Sequence, residues 1–322
     1  MDYLVSQVIA HGSAVREFQL RRKDGAALPG WQPGAHIVVQ FTDADGGVLE
    51  RHYSLVGPAG GGATDTYRIA VQREDDGKGG SRRLHDAYAA GSAIGIRGPF
   101  NSFPLDAAPG AGAAPGRVLL IAGGIGITPL VSMAHALGAA GRPFELHYLA
   151  RSADRLVLLD ELRAIPHIRL ATHIADQNGR ADLDALLGAY EAGDSLYSCG
   201  PAPLLQALAD AGARNGWPAA ALHFESFGAR TQHGDGPLTV ELALSAMTVE
   251  VEPGSSILAA LLAVDAFVSY DCQRGECGKC YTPVLAGQPL HRDICLTPAM
   301  RATGMCTCVS WAAAPGRLVL EL

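Results

Sequence analysis

YDCQRGECGKC, residues 270–280, carries Cys272, Cys277 and Cys280, and with Cys308 it gives the order C-x4-C-x2-C-x27-C. This spacing wraps a plant-type 2Fe-2S cluster, with three thiolates from one loop and a fourth from a distant segment folded back beside it. Gly275 and Gly278 suit the loop, because they permit backbone turns and let amide N–H groups approach the sulfurs. Structural zinc usually shows two C-x2-C-like pairs, which a lone distant cysteine fits poorly. Cys306 is an alternative fourth ligand, since it stands two residues from Cys308 and would share its face on a strand. Cys308, followed by Val309 and a terminal apolar strand, is preferred, and Cys306 and Cys295 read as small buried hydrophobes. Disulfides are not expected in a chain that uses its thiols for iron.

The chain has 322 residues, 48% of them hydrophobic, and a formal net charge of -7. That length holds two or three domains with proper cores. The negative balance argues against nucleic acid, whose backbone demands a basic surface. With no signal peptide and no long apolar run, the expectation is a cytoplasmic protein away from membranes. AAPGAGAAPG (107–116) and GARTQHGDGP (228–237) read as connectors. They divide the chain into residues 1–108, 109–228 and 237–322, with 229–236 as linker.

Each part has its own pattern. HIVVQF, the run around RHYSLVG, TYRIAVQ and SAIGIRG are short strands broken by turns, which predicts a small antiparallel β-barrel. RVLLIAGGIGITPLVSMAHAL is an apolar strand, a Gly-rich turn and a helix. FELHYLARS, IRLATHIAD and DSLYSCGP supply further strands of an α/β parallel sheet of the nucleotide-binding kind. LTVELAL, MTVEVE, the helix SILAALLAV and the final strand RLVLEL make the last part β-rich, with one helix packed across it.

Four runs carry ligand chemistry. RHYSL (51–55) offers a guanidinium for a phosphate, a phenol ring to cover an aromatic ring and a hydroxyl for a ring nitrogen. Strand alternation separates Arg51 and Tyr53 from His52 and Ser54, unless an edge or bulge brings them together. GKGGSRRLHD (77–86) places Gly79, Gly80 and Ser81 before a helical stretch, a setting that exposes N–H groups to an anion. GGIGITP (123–129) opens a helix after a strand, but Thr128 replaces the last glycine of the usual dinucleotide fingerprint. YSCGP (197–201) sets Cys199 and Gly200 at the carboxyl edge of the same sheet, where ligands bind.

Together these runs resemble, along nearly the whole chain, the phthalate dioxygenase reductase branch of the ferredoxin–NADP reductase superfamily, the reductases of Rieske oxygenases that include vanillate O-demethylase reductase-like proteins. RHYSL is similar to the flavin-binding R-x-Y-S motif, GKGGS to the flavin-phosphate loop, GGIGITP and YSCGP to the NAD-domain motifs, and HFESFG to the segment that returns to the flavin. The order of flavin barrel, NAD domain and C-terminal β-grasp ferredoxin is itself specific to the branch. The resemblance implies FMN, a 2Fe-2S cluster, NADH as donor and a separate Rieske-type oxygenase as acceptor, served by a monomer in a transient complex.

It also implies residue roles. Arg51, His52, Tyr53 and Ser54 would hold the flavin, with Gly79, Gly80 and Ser81 at its phosphate. Gly123, Gly124, Gly126, Thr128, Cys199 and Gly200 would meet the nicotinamide nucleotide, Arg151 and Ser152 the adenosine ribose, and Glu225 and Phe227 the flavin ring. Ser54, Thr128, Cys199, Glu225 and Phe227 form the expected hydride-transfer site. An Arg-Ser pair is also compatible with a 2'-phosphate, which keeps NADPH open. The alternatives are a reductase component of a di-iron monooxygenase or, without hydride chemistry, a ferredoxin-like carrier fused to a regulatory nucleotide-binding module.

Overall fold

The computed structural model describes residues 2–42, 48–75, 79–106, 116–227, 235–275, 277–313 and 316–322. Residues 107–115 and 228–234 of the two connectors, with Gly77 and Lys78 of the phosphate-loop run, lie outside the described residues. The chain forms two compact units, residues 1–200 with 207–225, and residues 201–206 with 226–322.

The first unit holds two sheets. β1 (Tyr3–His11), β2 (Val15–Arg22), β3 (His36–Thr42), β4 (Val48–Ser54), β5 (Tyr67–Gln72) and β6 (Ala93–Phe100) pair in the order β4-β3-β6-β1-β2-β5. Among the described residues these pairs are antiparallel, and β4 and β5, the ends of that order, approach within 8 Å Cα to Cα, which brings the sheet round towards a barrel. Its interior is Val5, Phe18, Leu20, Ile37, Val39, Phe41, Ile69 and Leu84, the inward set of alternating strands. The hairpin β1–β2 was not among the strands expected from sequence, because YLVSQVIAH is mostly half-buried without a clean alternation and VREFQLRR is dense in charged residues. α1 (Gly80–Ala87) closes one end with Leu84.

β7 (Val118–Gly123), β8 (Phe144–Ala150), β9 (Ile168–Ile174), β10 (Ser195–Gly200) and β11 (Leu222–Ser226) follow in the order β11-β10-β7-β8-β9. β10, β7, β8 and β9 run parallel. β7 is buried along its whole length, as expected for a central strand covered on both faces. The helices are α2 (Ile127–Ala139), α3 (Leu159–Arg163), α4 (Ala175–Asn178), α5 (Leu183–Leu187) and α6 (Ala202–Arg214). α2 is apolar nearly all round and correspondingly buried.

Barrel and parallel sheet share their packing. Val15, Val56, Ala70 and Phe103 join the core formed by Leu120, Ile127, Leu130 and Tyr148. Arg68 on β5 adds an ionic bond, with Nε 2.7 Å from Glu17 of β2 and Nη2 2.8 Å from Glu161 of α3. His11 lies 3.1 Å from Glu17 and His135 2.8 Å from Glu161, which closes a five-residue network.

The second unit holds β12 (Leu238–Leu242), β13 (Met247–Val251), β14 (Tyr281–Ala286), β16 (Gly304–Cys306) and β18 (Arg317–Leu320), ordered β13-β12-β18-β14-β16, beside a ribbon of β15 (Pro289–Leu290) and β17 (Trp311–Ala312). β12 and β18 are parallel and the remaining pairs antiparallel, as in a β-grasp. α7 (Ile257–Ala263) starts at Ser256, whose Oγ accepts the Ala259 N–H at 3.1 Å, and buries Ile257, Leu258 and Leu261. α8 (Pro298–Arg301) is capped in the same way by Thr297. β14 and β16 were not anticipated, because the cysteines and prolines around them hide the alternation.

Burial alone would raise both Glu17 and Glu161. Hydrogen bonds from His11 and Arg68 to the first, and from His135 and Arg68 to the second, hold each down to about 2 instead. A carboxylate held down in the folded state contributes stability above its ordinary value of 4.5, and that stability is lost as pH falls towards 2. The urea midpoint should therefore drop as pH is lowered from about 5 to 3. Arg68→Met should cost about 3–5 kcal/mol at neutral pH and flatten that dependence, since it strands one buried and one half-buried carboxylate. Fluorescence-monitored urea titrations of both proteins measure this.

Candidate functional site

The barrel brings two of the expected ligand runs together. In the β3–β4 register His36 faces Ser54, Ile37 faces Tyr53 and Val39 faces Arg51. Gly80, the first residue of α1, lies flush against Arg51: a Cβ there would stand 2.7 Å from Arg51 Cγ. Gly79 caps the helix at φ 82 with no side-chain cap, and its first turn has no acidic residue. A guanidinium-bearing side chain therefore lies against a helix start that carries no negative charge, a cradle that fits a phosphate. Ser81 is engaged locally, its Oγ accepting the Glu74 N–H at 3.0 Å. His52 stacks on His36 with centroids 5.0 Å apart, and Ser54 is buried. Burial pushes the Tyr53 phenol above its usual range and keeps it neutral.

At the carboxyl edge of the parallel sheet, GGIGITP folds as a 3-10 turn, Gly124–Gly126, leading into α2. Gly124 has φ 56 and open space around it, whereas a Cβ on Gly126 would stand 2.2 Å from the Cys199 carbonyl oxygen. Gly126 thus lets α2 sit directly on the Cys199–Gly200 backbone. Thr128 and Cys199 are both buried, and Thr128 Oγ1 donates to Ile125 O at 3.1 Å. The Gly34 N–H donates to Ser132 Oγ on α2 at 3.0 Å, two residues before His36, so the end of β4 and the first half of α2 are tied through one short segment. Glu225 is buried near the end of β11, and Phe227 just beyond it is 43% exposed.

After β8, Arg151 extends into solvent with Nε 3.7 Å from Asp176, and Ser152 Oγ donates to Asp154 at 2.6 Å. Two carboxylates, invisible in a reading limited to ARS, thus accompany the Arg-Ser pair.

The cysteine loop has the features that iron thiolates need. Cys280 and Cys308 Sγ lie 3.2 Å apart, the Arg274 N–H donates to Cys272 Sγ at 3.3 Å, and the Gly275 amide points to Cys308. Gly275 at φ 75 and Gly278 at φ 71 make the turns, and a Cβ on Gly275 would press to 2.7 Å of Val309. Cys277 is exposed. Cys308 stands in a turn after β16 and not on a strand with Cys306, so the two do not share a face by alternation. Cys306 has its sulfur 3.8 Å from that of Cys295 and also contacts the Cys280 thiol. Tyr281, the residue after Cys280, crosses over Gly304 of the paired strand β16 and bonds Thr303 Oγ1 at 2.8 Å.

Residues 240–313 match the model of the 2Fe-2S iron-sulfur cluster binding domain. The whole chain is 36% identical over 323 residues to a toluene-4-sulfonate monooxygenase system reductase subunit of Comamonas testosteroni, covering 99% of this chain and 98% of that one. It is 35% identical over 311 residues to the heme-dependent oxidative N-demethylase beta subunit of Ectopseudomonas mendocina, covering 96% and 95%. The solved structure of phthalate dioxygenase reductase, a modular structure for electron transfer from pyridine nucleotides to [2Fe-2S], matches with TM-score 0.70 and 32% identity over 99% of this chain and 97% of that one. The chain belongs to the family of phthalate dioxygenase reductase. This reductase is an oxidoreductase of an oxygenase system, and the family's cofactors are FMN, a 2Fe-2S cluster and NADH. Among the described residues no helix is long and apolar enough to cross a membrane.

The two glycine contacts separate the two ligand sites. Gly80→Ala should displace Arg51 and lower the FMN content of the purified reductase. Gly126→Ala presses on backbone that has no cheap way to yield. It should keep FMN but slow flavin bleaching by NADH about 10–100-fold, the cost of a small misplacement of reacting groups. Flavin-to-protein ratios and anaerobic stopped-flow absorbance measure both.

Proposed function

We propose that the protein supplies electrons from NADH to a separate Rieske-type oxygenase component of aromatic catabolism, as a cytoplasmic monomer that docks transiently. The carrying observation is the cysteine pocket, in which two thiols 3.2 Å apart lie beneath amides aimed at sulfur. Residues 1–108 form the FMN domain, 109–228 the NAD domain, 229–236 a linker and 237–322 the ferredoxin domain. The resemblance to a heme-dependent demethylase subunit supports a second acceptor class, a haem oxygenase component.

When bound, FMN accepts two electrons together from NADH and releases them singly to the 2Fe-2S cluster. The chain's own work is positioning. Arg51 and the Gly79 and Gly80 amides hold the flavin phosphate, Ser81 shapes that loop, and His52, Tyr53 and Ser54 line the ring. Gly123, Gly124 and Gly126 admit the nucleotide, and Thr128, Cys199 and Gly200 define the nicotinamide edge beside Ser54. Glu225 and Phe227 complete the site. No side chain need act as acid or base for hydride transfer. Cys272, Cys277, Cys280 and Cys308 ligate the cluster.

Asp176 beside Arg151 and Asp154 beside Ser152 favour a ribose hydroxyl over a 2'-phosphate, which carboxylates repel. NADH should therefore exceed NADPH in kcat/KM, and equal or reversed values would overturn the donor assignment. Cys272→Ser should lose iron, because a hydroxyl poorly replaces a soft thiolate. NADH should still bleach its flavin and ferricyanide reduction should survive, while transfer to a Rieske oxygenase collapses. Persistent oxygenase coupling in a cluster-free protein would make the flavin the outlet and refute this path.

A further inference from the structure

The segment LHRDICL sets His291, Asp293 and Cys295 at alternate positions, and none of them belongs to the cluster set. Asp293, Cys295 and Cys306 present ligand atoms within 4.8 Å of one another. The Cys295 and Cys306 sulfurs are 3.8 Å apart. With metal–sulfur bonds of about 2.3 Å, the edge of a zinc tetrahedron is about 3.8 Å, so the thiols already have the spacing of two ligands on one ion.

The carboxylate supplies an independent observation. The Asp293 side chain is fully buried. Its Oδ2 accepts from the Leu296 N–H at 3.1 Å and from Arg301 at 3.2 Å, whereas Oδ1 has no hydrogen-bond partner. His291 Nδ1 lies 3.5 Å from Oδ1, and that ring nitrogen is itself buried and without a hydrogen-bond partner. A buried carboxylate oxygen left without a hydrogen-bond partner next to two thiols costs free energy unless something joins them.

We propose that Cys295, Cys306 and Asp293 form a second metal site for a zinc-class divalent cation, which shares no ligand with the cluster although Cys306 also contacts the cluster ligand Cys280. Binding releases the two thiol protons. Two thiolates and a carboxylate give one net negative charge around the dication, and Arg301 on the far carboxylate oxygen offsets it. A Cβ on Gly278, in the cluster loop, would stand 3.7 Å from Cys295 Sγ, so the site lies directly behind that loop. The bound cation would brace the loop from behind.

The test uses intact, flavin- and cluster-loaded reductase equilibrated with zinc chloride and then gel-filtered. One zinc should be retained per chain with no loss of iron. Zinc-edge absorption spectroscopy should show two sulfurs at about 2.3 Å and lighter atoms at about 2.0–2.2 Å. Cys295→Ala/Cys306→Ala should weaken zinc binding by more than the roughly 10–100-fold that loss of an outer-shell partner costs. No retained zinc, zinc gained in step with iron lost, or a zinc shell without sulfur would each overturn the proposal. Those three readings come from the unaltered protein, so they decide even where the double variant folds badly.

Discussion

Arg68 is the hinge on which the nucleotide-handling unit depends. It has one carboxylate partner on the barrel strand β2 and one on α3 of the parallel-sheet part, both within 2.8 Å. Gly57, at φ 103, leaves the room it needs, since a Cβ there would stand 2.9 Å from Arg68 Nη1. Buried ion pairs often contribute little net stability over an apolar replacement, but a broken one is costly, so their value lies in admitting a single arrangement. A hydride donor and acceptor must be held about 3–3.5 Å apart and aligned, and a geometry-selecting contact suits that need better than an adaptable apolar one.

The glycines continue the same logic at shorter range. Gly126 lets α2 rest on the Cys199 backbone, Gly80 lets Arg51 lie on α1, and Gly275 seats the cysteine loop on Val309. In each case a missing side chain brings backbone into contact where a ligand or cluster needs it. Gly126 of GGIGITP and Gly80 of GKGGS are thus sites of close approach.

Much of this could be read from the chain because its chemistry is local. The C-x4-C-x2-C run specifies its own loop, and GGIGITP announces a strand–turn–helix whatever surrounds it. Contacts between distant residues were not readable. Nothing in TYRIAVQ marks Arg68 as the partner of Glu161, since that pairing exists only after two sheets have packed. Cys295 and Cys306 were taken as small hydrophobes, and their apposition depends on how the LHRDICL segment folds against β16. Arg151 and Ser152 left both NADH and NADPH open for a related reason: their acidic neighbours Asp176 and Asp154 lie outside the three-residue motif. The strands β1 and β2 were missed because neither YLVSQVIAH, half-buried along most of its length, nor the charge-rich VREFQLRR shows a clean period-two pattern.

The central claim is that electrons enter at the flavin and reach the outside only through the cysteine-bound cluster. Anaerobic mixing with a single equivalent of NADH, followed by rapid freezing and electron paramagnetic resonance alongside absorbance, tests it on the unmodified protein. The account predicts that flavin absorbance bleaches first and that the reduced-cluster signal then grows as part of that absorbance returns. A cluster that became reduced without a preceding flavin change, or one that stayed oxidised while the flavin was fully reduced, would contradict it.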